Sequence, residues 1–303
     1  TRSREDNMVW LVGCKGMLGS EISRQFNENG IDFLGTDLDV DFTDKKSVSS
    51  FVAGKKIDFI VNCAAYTAVD KAESDAALCE KLNVSGPENL SSVAKKIGAT
   101  LIHISTDYVF DGNGTAPYTE DTPVSPIGVY GKTKAAGENA ITSNAQNYYI
   151  IRTAWLYGWA GKNFVYTMIR AMNSRDSVKV VNDQFGSPTF AGDLAAVIVK
   201  IIKNAGKIPY GIYNFTDKGE ISWWDFANEI KTLGIKAGWV SNKNCAVNPC
   251  STEEYPTPAK RPAYSVLSKV KIQDALGEEI PGWKESLEKF LNSPFFDKTR
   301  IEA

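Results

Sequence analysis

Met8-Val-Trp-Leu-Val12 runs directly into Gly13-Cys-Lys-Gly16-Met-Leu-Gly19. Five consecutive apolar residues ended by glycine read as a strand buried on both faces. A helical pattern then covers residues 17–29. The glycines let the chain turn sharply, approach a pyrophosphate closely and pack the helix on its strand. The helix start offers unpaired N–H groups and the positive end of its dipole to the phosphates. This strand–turn–helix predicts a dinucleotide site built from Gly13, Lys15, Gly16, Met17, Leu18 and Gly19.

The same alternation continues outward. Apolar runs at 31–34, 57–63, 100–105 and 148–152 are separated by helical patterns at 45–53, 71–82, 87–97 and 129–142. Buried strands alternating with helices predict an α/β fold, a Rossmann-type doubly wound parallel sheet. The rhythm changes past residue 152, where Trp155, Tyr157, Trp159, Phe164 and Tyr166 crowd together. The division expected is a dinucleotide-binding domain over 8–152 and mainly a smaller, irregular α/β substrate-binding lobe over 153–300, with some segments returning to the first. Residues 242–262 carry four prolines and little periodicity, so they read as a loop, for binding or as a surface excursion. Residues 1–7 are polar and read as a vector remnant ahead of Met8.

Composition narrows the chemistry. The chain has 303 residues, 43% hydrophobic and 23% charged, with a net charge of −2, which gives no footprint for nucleic acid or an anionic membrane surface. It has one histidine, His103. Metal sites needing two imidazoles are therefore excluded, and proton transfer is expected from Tyr, Lys or carboxylates. Five cysteines without a C-x-x-C pair read as reduced thiols of a cytoplasmic protein. The apolar run 194–202 is interrupted by Lys200 and is too short to span a bilayer. His103, inside the run 100–105, reads as a core residue.

Asp37, at the end of the second strand, can accept hydrogen bonds from ribose hydroxyls and favours NADH. Lys15 favours the 2′-phosphate of NADPH. The preference stays open between them. Asp41 and Phe42 either reach the adenine edge or form a simple turn.

Tyr130-Gly-Lys-Thr-Lys134 places a phenol and an amine on one helix face, because positions i and i+4 are neighbours. An adjacent ammonium favours phenolate, so the Tyr130 pKa is expected to fall from about 10. By composition alone about one Y-x-x-x-K arises by chance, so its position matters more than its presence. It follows Thr106, at the carboxyl end of the strand 100–105, where open α/β sheets bind ligands.

Glycine loop, strand-end Thr106 and Tyr130/Lys134 in this order resemble the extended short-chain dehydrogenase/reductase superfamily. Longer stretches resemble its dTDP-4-dehydrorhamnose reductase family. They are Asn62-Cys-Ala-Ala-Tyr-Thr-Ala-Val-Asp-Lys-Ala-Glu73, Ser105-Thr-Asp-Tyr-Val-Phe-Asp-Gly112, Arg152-Thr-Ala-Trp155, Asn182-Asp-Gln-Phe-Gly-Ser-Pro-Thr189 and Tyr255-Pro-Thr-Pro-Ala-Lys-Arg-Pro262. The resemblance implies reduction of the C4 ketone of a nucleotide-sugar by hydride from NADH or NADPH, for cell-surface polysaccharide synthesis. Tyr130 would be the general acid. Lys134 would hold the nicotinamide ribose and tune the tyrosine, and Thr106 would hydrogen-bond the ketone or the phenol. Asp107, Tyr108 and Trp155 would line the sugar pocket, while Asn62, Ala64, Ala65 and Tyr66 would lie along the cofactor. Asn163, Gln184 and Arg261 are candidates for nucleotide or diphosphate contacts. Some members bind Mg²⁺ through glutamates at a dimer interface, one of them in the glycine loop. Met17 stands there instead, so no metal requirement is expected, and the assembly is a monomer or homodimer.

Two other readings are weighed. A nucleotide-sugar 4,6-dehydratase resembles Thr-Asp-Glu where this chain has Thr106-Asp107-Tyr108. A non-catalytic regulatory subunit, such as the β subunit of methionine adenosyltransferase, resembles the same family, and the intact Thr106, Tyr130 and Lys134 favour catalysis over it.

Overall fold

A computed structural model describes residues 7–302; the reading of residues 1–7 as a vector remnant lies outside them for all but Asn7. Strand β1 (Val9–Val12) is buried throughout and passes through the glycine turn into α1 (Met17–Glu28), then β2 (Phe33–Thr36). The second strand sits two residues later than the apolar run suggests. Ile31 closes the turn after α1 through its N–H to Phe26 O, and pairing with β1 starts at Phe33. Asp44 caps α2 (Lys45–Val52) by accepting from the Ser47 N–H, and β3 (Phe59–Asn62) follows.

The helix expected over 71–82 is broken into α3 (Val69–Ala72) and α4 (Ala76–Glu80), followed by a π-helical turn at Lys81–Ser85. Buried Asn83 explains the turn, because its side chain bonds the Tyr66 N–H and C=O instead of facing solvent. Pro87 in its first turn and left-handed Gly98 at its end bound α5 (Gly86–Ile97). Next come β4 (Thr100–Thr106), α6 (Val129–Asn144) and β5 (Tyr148–Thr153).

The aromatic half begins with β6 (Leu156–Tyr157), α7 (Phe164–Ser174), β7 (Ser177–Val181), β8 (Phe185–Gly186) and β9 (Thr189–Phe190). Helix α8 (Ala191–Lys203) and β10 (Gly211–Asn214) then lead to β11 (Ile221–Ser222) and α9 (Trp223–Ala237). A capping box between Ser222 and Asp225 starts α9, and left-handed Gly238 ends it. Inside the expected loop 242–262 lies a strand, β12 (Ala246–Cys250), paired in parallel with β7. Pro249 is tolerated because β12 is an edge. Helices α10 (Val270–Leu276) and α11 (Trp283–Leu291) complete the order.

The six-stranded parallel sheet has the order β10-β5-β4-β3-β1-β2. One face buries Leu11, Val61 and Ile151 under α1 and α8; the other buries Trp10, Ile60 and Ile150 under α2, α5 and α6. A second core, centred on Tyr157, Phe190, Phe226 and Phe290, joins α7, α9 and α11. Since β2 lies on one side of β1 and β3 on the other, the strand order reverses there and opens a crevice at the carboxyl ends. Among the described residues no helix is long and apolar enough to cross a membrane.

Candidate active site

A cavity of about 970 Å³ occupies that crevice. Gly13 holds a left-handed φ of 78°, and a Cβ there would lie 2.8 Å from the Ala64 nitrogen. A Cβ on Gly19 would lie 2.0 Å from Gly13 O, so Gly19 packs the helix against the turn and does not line the cavity. Gly16 starts α1 with no side-chain cap, which leaves the first N–H groups of the helix unclaimed by any side chain. Gly13, Lys15, Gly16, Met17 and Leu18 all line the cavity.

Asp37 and Lys15 meet at this end: the Lys15 N–H donates to Asp37 Oδ2 at 3.2 Å, and the Asp37 N–H donates to Asp39 Oδ1 at 2.7 Å. Asp41 and Phe42 also line it. Asp41 accepts from the Thr43 N–H, and the Phe42 ring covers Gly86 so closely that a Cβ there would lie 2.1 Å away. Leu38, 97% exposed, stands on the rim; sequence reasoning missed it, since an isolated leucine carries no periodic signal.

Two residues expected along the cofactor lie behind the cavity wall. Asn62 is buried, its amide N against His103 Nδ1 at 3.0 Å and its Oδ1 accepting from the Ala64 N–H, so it presents Ala64 and Ala65, which do line the cavity. Tyr66 is held away by Asn83, which accepts its N–H, and by Asp75, which accepts its hydroxyl at 3.2 Å. His103 is fully buried. Burial, and then the charge of Lys134, push its pKa well below the ordinary value, so it is neutral.

Thr106, Tyr130 and Lys134 converge on the cavity from β4 and α6. Lys134 is 2% exposed and donates to the Ile104 carbonyl at 2.6 Å, which fixes its ammonium at the cavity wall. Gly131 permits the approach of α6, because a Cβ there would lie 2.1 Å from the Tyr108 carbonyl oxygen. The Tyr108 and Tyr130 rings meet edge to face, centroids 5.3 Å apart.

The Tyr130 pKa runs opposite to expectation. Burial pushes the phenol up, opposed by the Thr106 hydroxyl and reinforced by Asp107, and Lys134 does not bring it down. Burial of the phenol therefore keeps Tyr130 a protonated donor. Burial also raises Tyr108 and lifts the Asp107 carboxyl to about 6, partly offset by the Thr106 hydroxyl bonded to Asp107 Oδ1 at 2.9 Å. Asp107 Oδ2 is buried without a hydrogen-bond partner among the described residues. Asp107, Tyr108 and Trp155 all line the cavity.

The diphosphate candidates are elsewhere engaged. Asn163 caps α7 by accepting from the Tyr166 N–H, Gln184 donates to Thr252, and Arg261 pairs with Asp70 at 2.8 Å. None of the three lines the cavity. Lys162 and Thr67 do, and sequence reading missed them because their approach depends on long-range closure of the chain. Among the described residues no group of three or more His, Cys, Asp or Glu is placed to hold a metal ion.

A glycine cradle that excludes Cβ atoms, an uncapped helix start and an acid beyond β2 fit a dinucleotide, and they lead to a Thr–Tyr–Lys set in which Thr106 and Lys134 are buried. That combination defines a Rossmann-fold oxidoreductase of the short-chain dehydrogenase/reductase type. The family described as RmlD substrate binding domain matches residues 7–294. The dTDP-4-dehydrorhamnose reductase of Escherichia coli (strain K12) is 37% identical over 294 residues, 95% of this chain and 98% of that protein. A crystal structure of a dTDP-4-dehydrorhamnose reductase from Clostridium acetobutylicum superposes with a TM-score of 0.87 at 44% identity, covering 94% of this chain and 98% of that one. One from Bacillus anthracis, in complex with NADP, has the same TM-score and coverage at 36% identity. The chain belongs to the dTDP-4-dehydrorhamnose reductase family.

Proposed function

We propose that this chain reduces the C4 ketone of dTDP-4-dehydro-L-rhamnose, giving dTDP-L-rhamnose. The observation that carries the reading is the convergence of Thr106, Tyr130 and Lys134 on a cavity whose other end is the glycine cradle. A nicotinamide cofactor held by Gly13, Gly16 and the start of α1 supplies hydride to the carbonyl carbon. Tyr130 donates a hydrogen bond to the carbonyl oxygen, which gains negative charge as the carbon is reduced, and Thr106 joins by turning its hydroxyl from Asp107 to the ketone or the phenol. Tyr130 then gives up its proton to that oxygen, while the Lys134 ammonium, anchored on Ile104 O, holds the nicotinamide ribose. The raised pKa of Tyr130 suits this direction, since a reductase needs the phenol protonated before turnover. Asp107, Tyr108 and Trp155 form the wall against which the sugar is oriented.

Asp37 favours a cofactor with two free ribose hydroxyls and Lys15 favours a 2′-phosphate. With both lining the cavity, the enzyme uses NADH and NADPH. The test is absorbance at 340 nm with dTDP-4-dehydro-L-rhamnose and each cofactor in turn. Substrate-dependent loss of absorbance supports the reading, and no loss with either cofactor overturns it.

A further inference from the structure

Glu138 lies one helical turn beyond Lys134 on α6 and is 5% exposed. Its carboxylate accepts two parallel hydrogen bonds from Arg152 of β5, from Nε at 2.9 Å and Nη2 at 2.7 Å, and a third from the Ser105 hydroxyl of β4. The Arg152 guanidinium sits over the Phe110 ring, 5.1 Å from its centroid. Neither Glu138 nor Arg152 lines the cavity. Yet Glu138 ties together α6, which carries Tyr130 and Lys134, β4, which carries Thr106 and the Ile104 carbonyl that anchors Lys134, and β5, whose Thr153 lines the cavity. A buried ion pair is a poor source of net stability, because desolvation offsets the attraction, and fixing register is its best-attested use.

We propose that the Glu138–Arg152 pair positions the catalytic centre, locking α6 against β4 and β5 and setting a countercharge opposite the Lys134 ammonium. The inference rests on the function proposed above. The titratable groups facing Lys134 are Glu138 on its own helix, Cys63 after β3, Cys79 on α4 and His103 on β4. His103 is neutral, and burial pushes the Cys63 thiol up to about 12, so Glu138 is the anion that opposes the desolvation of Lys134. Burial still brings Lys134 down to about 8, so above that pH the ammonium is lost and activity falls.

Two variants shift that alkaline limb of kcat/KM in opposite directions. Glu138→Gln removes the anion and leaves the Arg152 cation, moving the limb down by about one pH unit, roughly a tenfold loss of activity on the limb. Arg152→Met removes the cation and leaves the anion, moving the limb up. Glu138→Asp keeps the charge on a shorter arm, so its limb stays with the wild type while kcat falls. Opposite shifts establish the pair as the positioning device; limbs that coincide with the wild type in both variants overturn it, whatever happens to the rate. If one variant does not fold, the sign of the other decides. If neither folds, Glu138→Asp decides: an unmoved limb with lower kcat supports the proposal and a moved limb overturns it. NADH binding followed by fluorescence over the same pH range reads Lys134 without turnover. A wild type that binds NADH but never oxidises it therefore sinks the proposed function, while the binding profiles still test the pair.

Discussion

Trp155 stacks face to face on Trp223, ring centroids 3.6 Å apart and planes within 13°, from a left-handed backbone with φ 48°. A bulky residue in that region costs about 1–3 kcal/mol and persists only where its surroundings enforce it. Gly186 makes the room, since a Cβ there would lie 2.6 Å from the Trp155 ring. The strain is held at a residue that lines the cavity, whereas Trp223 does not line it. Trp223→Ala should let Trp155 relax and raise KM for the nucleotide-sugar roughly tenfold, in keeping with the worth of an aromatic stack. The dissociation constant for NADH should not move. Steady-state kinetics and a fluorescence titration check both, and an unchanged KM contradicts the positioning of Trp155 by Trp223.

Asp107 gives a pH-dependent stability. Its folded pKa, about 6, lies above the ordinary carboxyl value, so the native state holds a proton that the unfolded state releases. Stability is therefore lost as pH rises from about 4 to about 6. Asp107→Asn removes the titration and keeps an oxygen to accept from Thr106. It should match the wild type at pH 4 and exceed it by about 2 kcal/mol at pH 7, an order-of-magnitude figure. Thermal melts at both pH values show whether the gap opens with rising pH; a constant gap would mean that Asp107 is ionised throughout.

Gly131 sits between Tyr130 and Lys134, where α6 presses on the Tyr108 carbonyl. Gly131→Ala would normally favour a helix, but here the methyl must push α6 outward. The expected result is a loss of about 2 kcal/mol of stability together with a drop in kcat of roughly a hundredfold. A stabilised, fully active variant in a melt and an activity assay would show that the contact gives way freely.

The doubly wound core was legible because parallel strands buried on both faces leave unbroken apolar runs, as at Val9–Val12 and Phe59–Asn62. The register of β2 was not, since Ile31 is apolar for the sake of a turn. The π-helical turn after α4 hid because Asn83 looks like any polar helix residue until its bonds to Tyr66 are seen. That the Asn62 and Tyr66 side chains stand behind the cavity wall while Ala64 and Ala65 line it was hidden, since sequence gives proximity and not which side of a wall a side chain takes. The raised Tyr130 pKa was hidden for a related reason: helical spacing shows two groups on one face, not how strongly burial penalises the phenolate. Glu138 had a readable signal, an acid at i+4 from Lys134 on the buried face. Trp223 had none, because its stack on Trp155 joins residues far apart in the chain.

The central claim is that Tyr130 delivers the proton when the ketone is reduced. Tyr130→Phe removes one oxygen and keeps the ring against Tyr108, so the decisive measurement is single-turnover NADH oxidation at 340 nm with saturating dTDP-4-dehydro-L-rhamnose. The rate should fall by roughly a thousandfold or more while the NADH dissociation constant stays within about twofold of the wild type. A variant that reduces the sugar at the wild-type rate would show that the proton comes from another group and that the catalytic assignment is wrong.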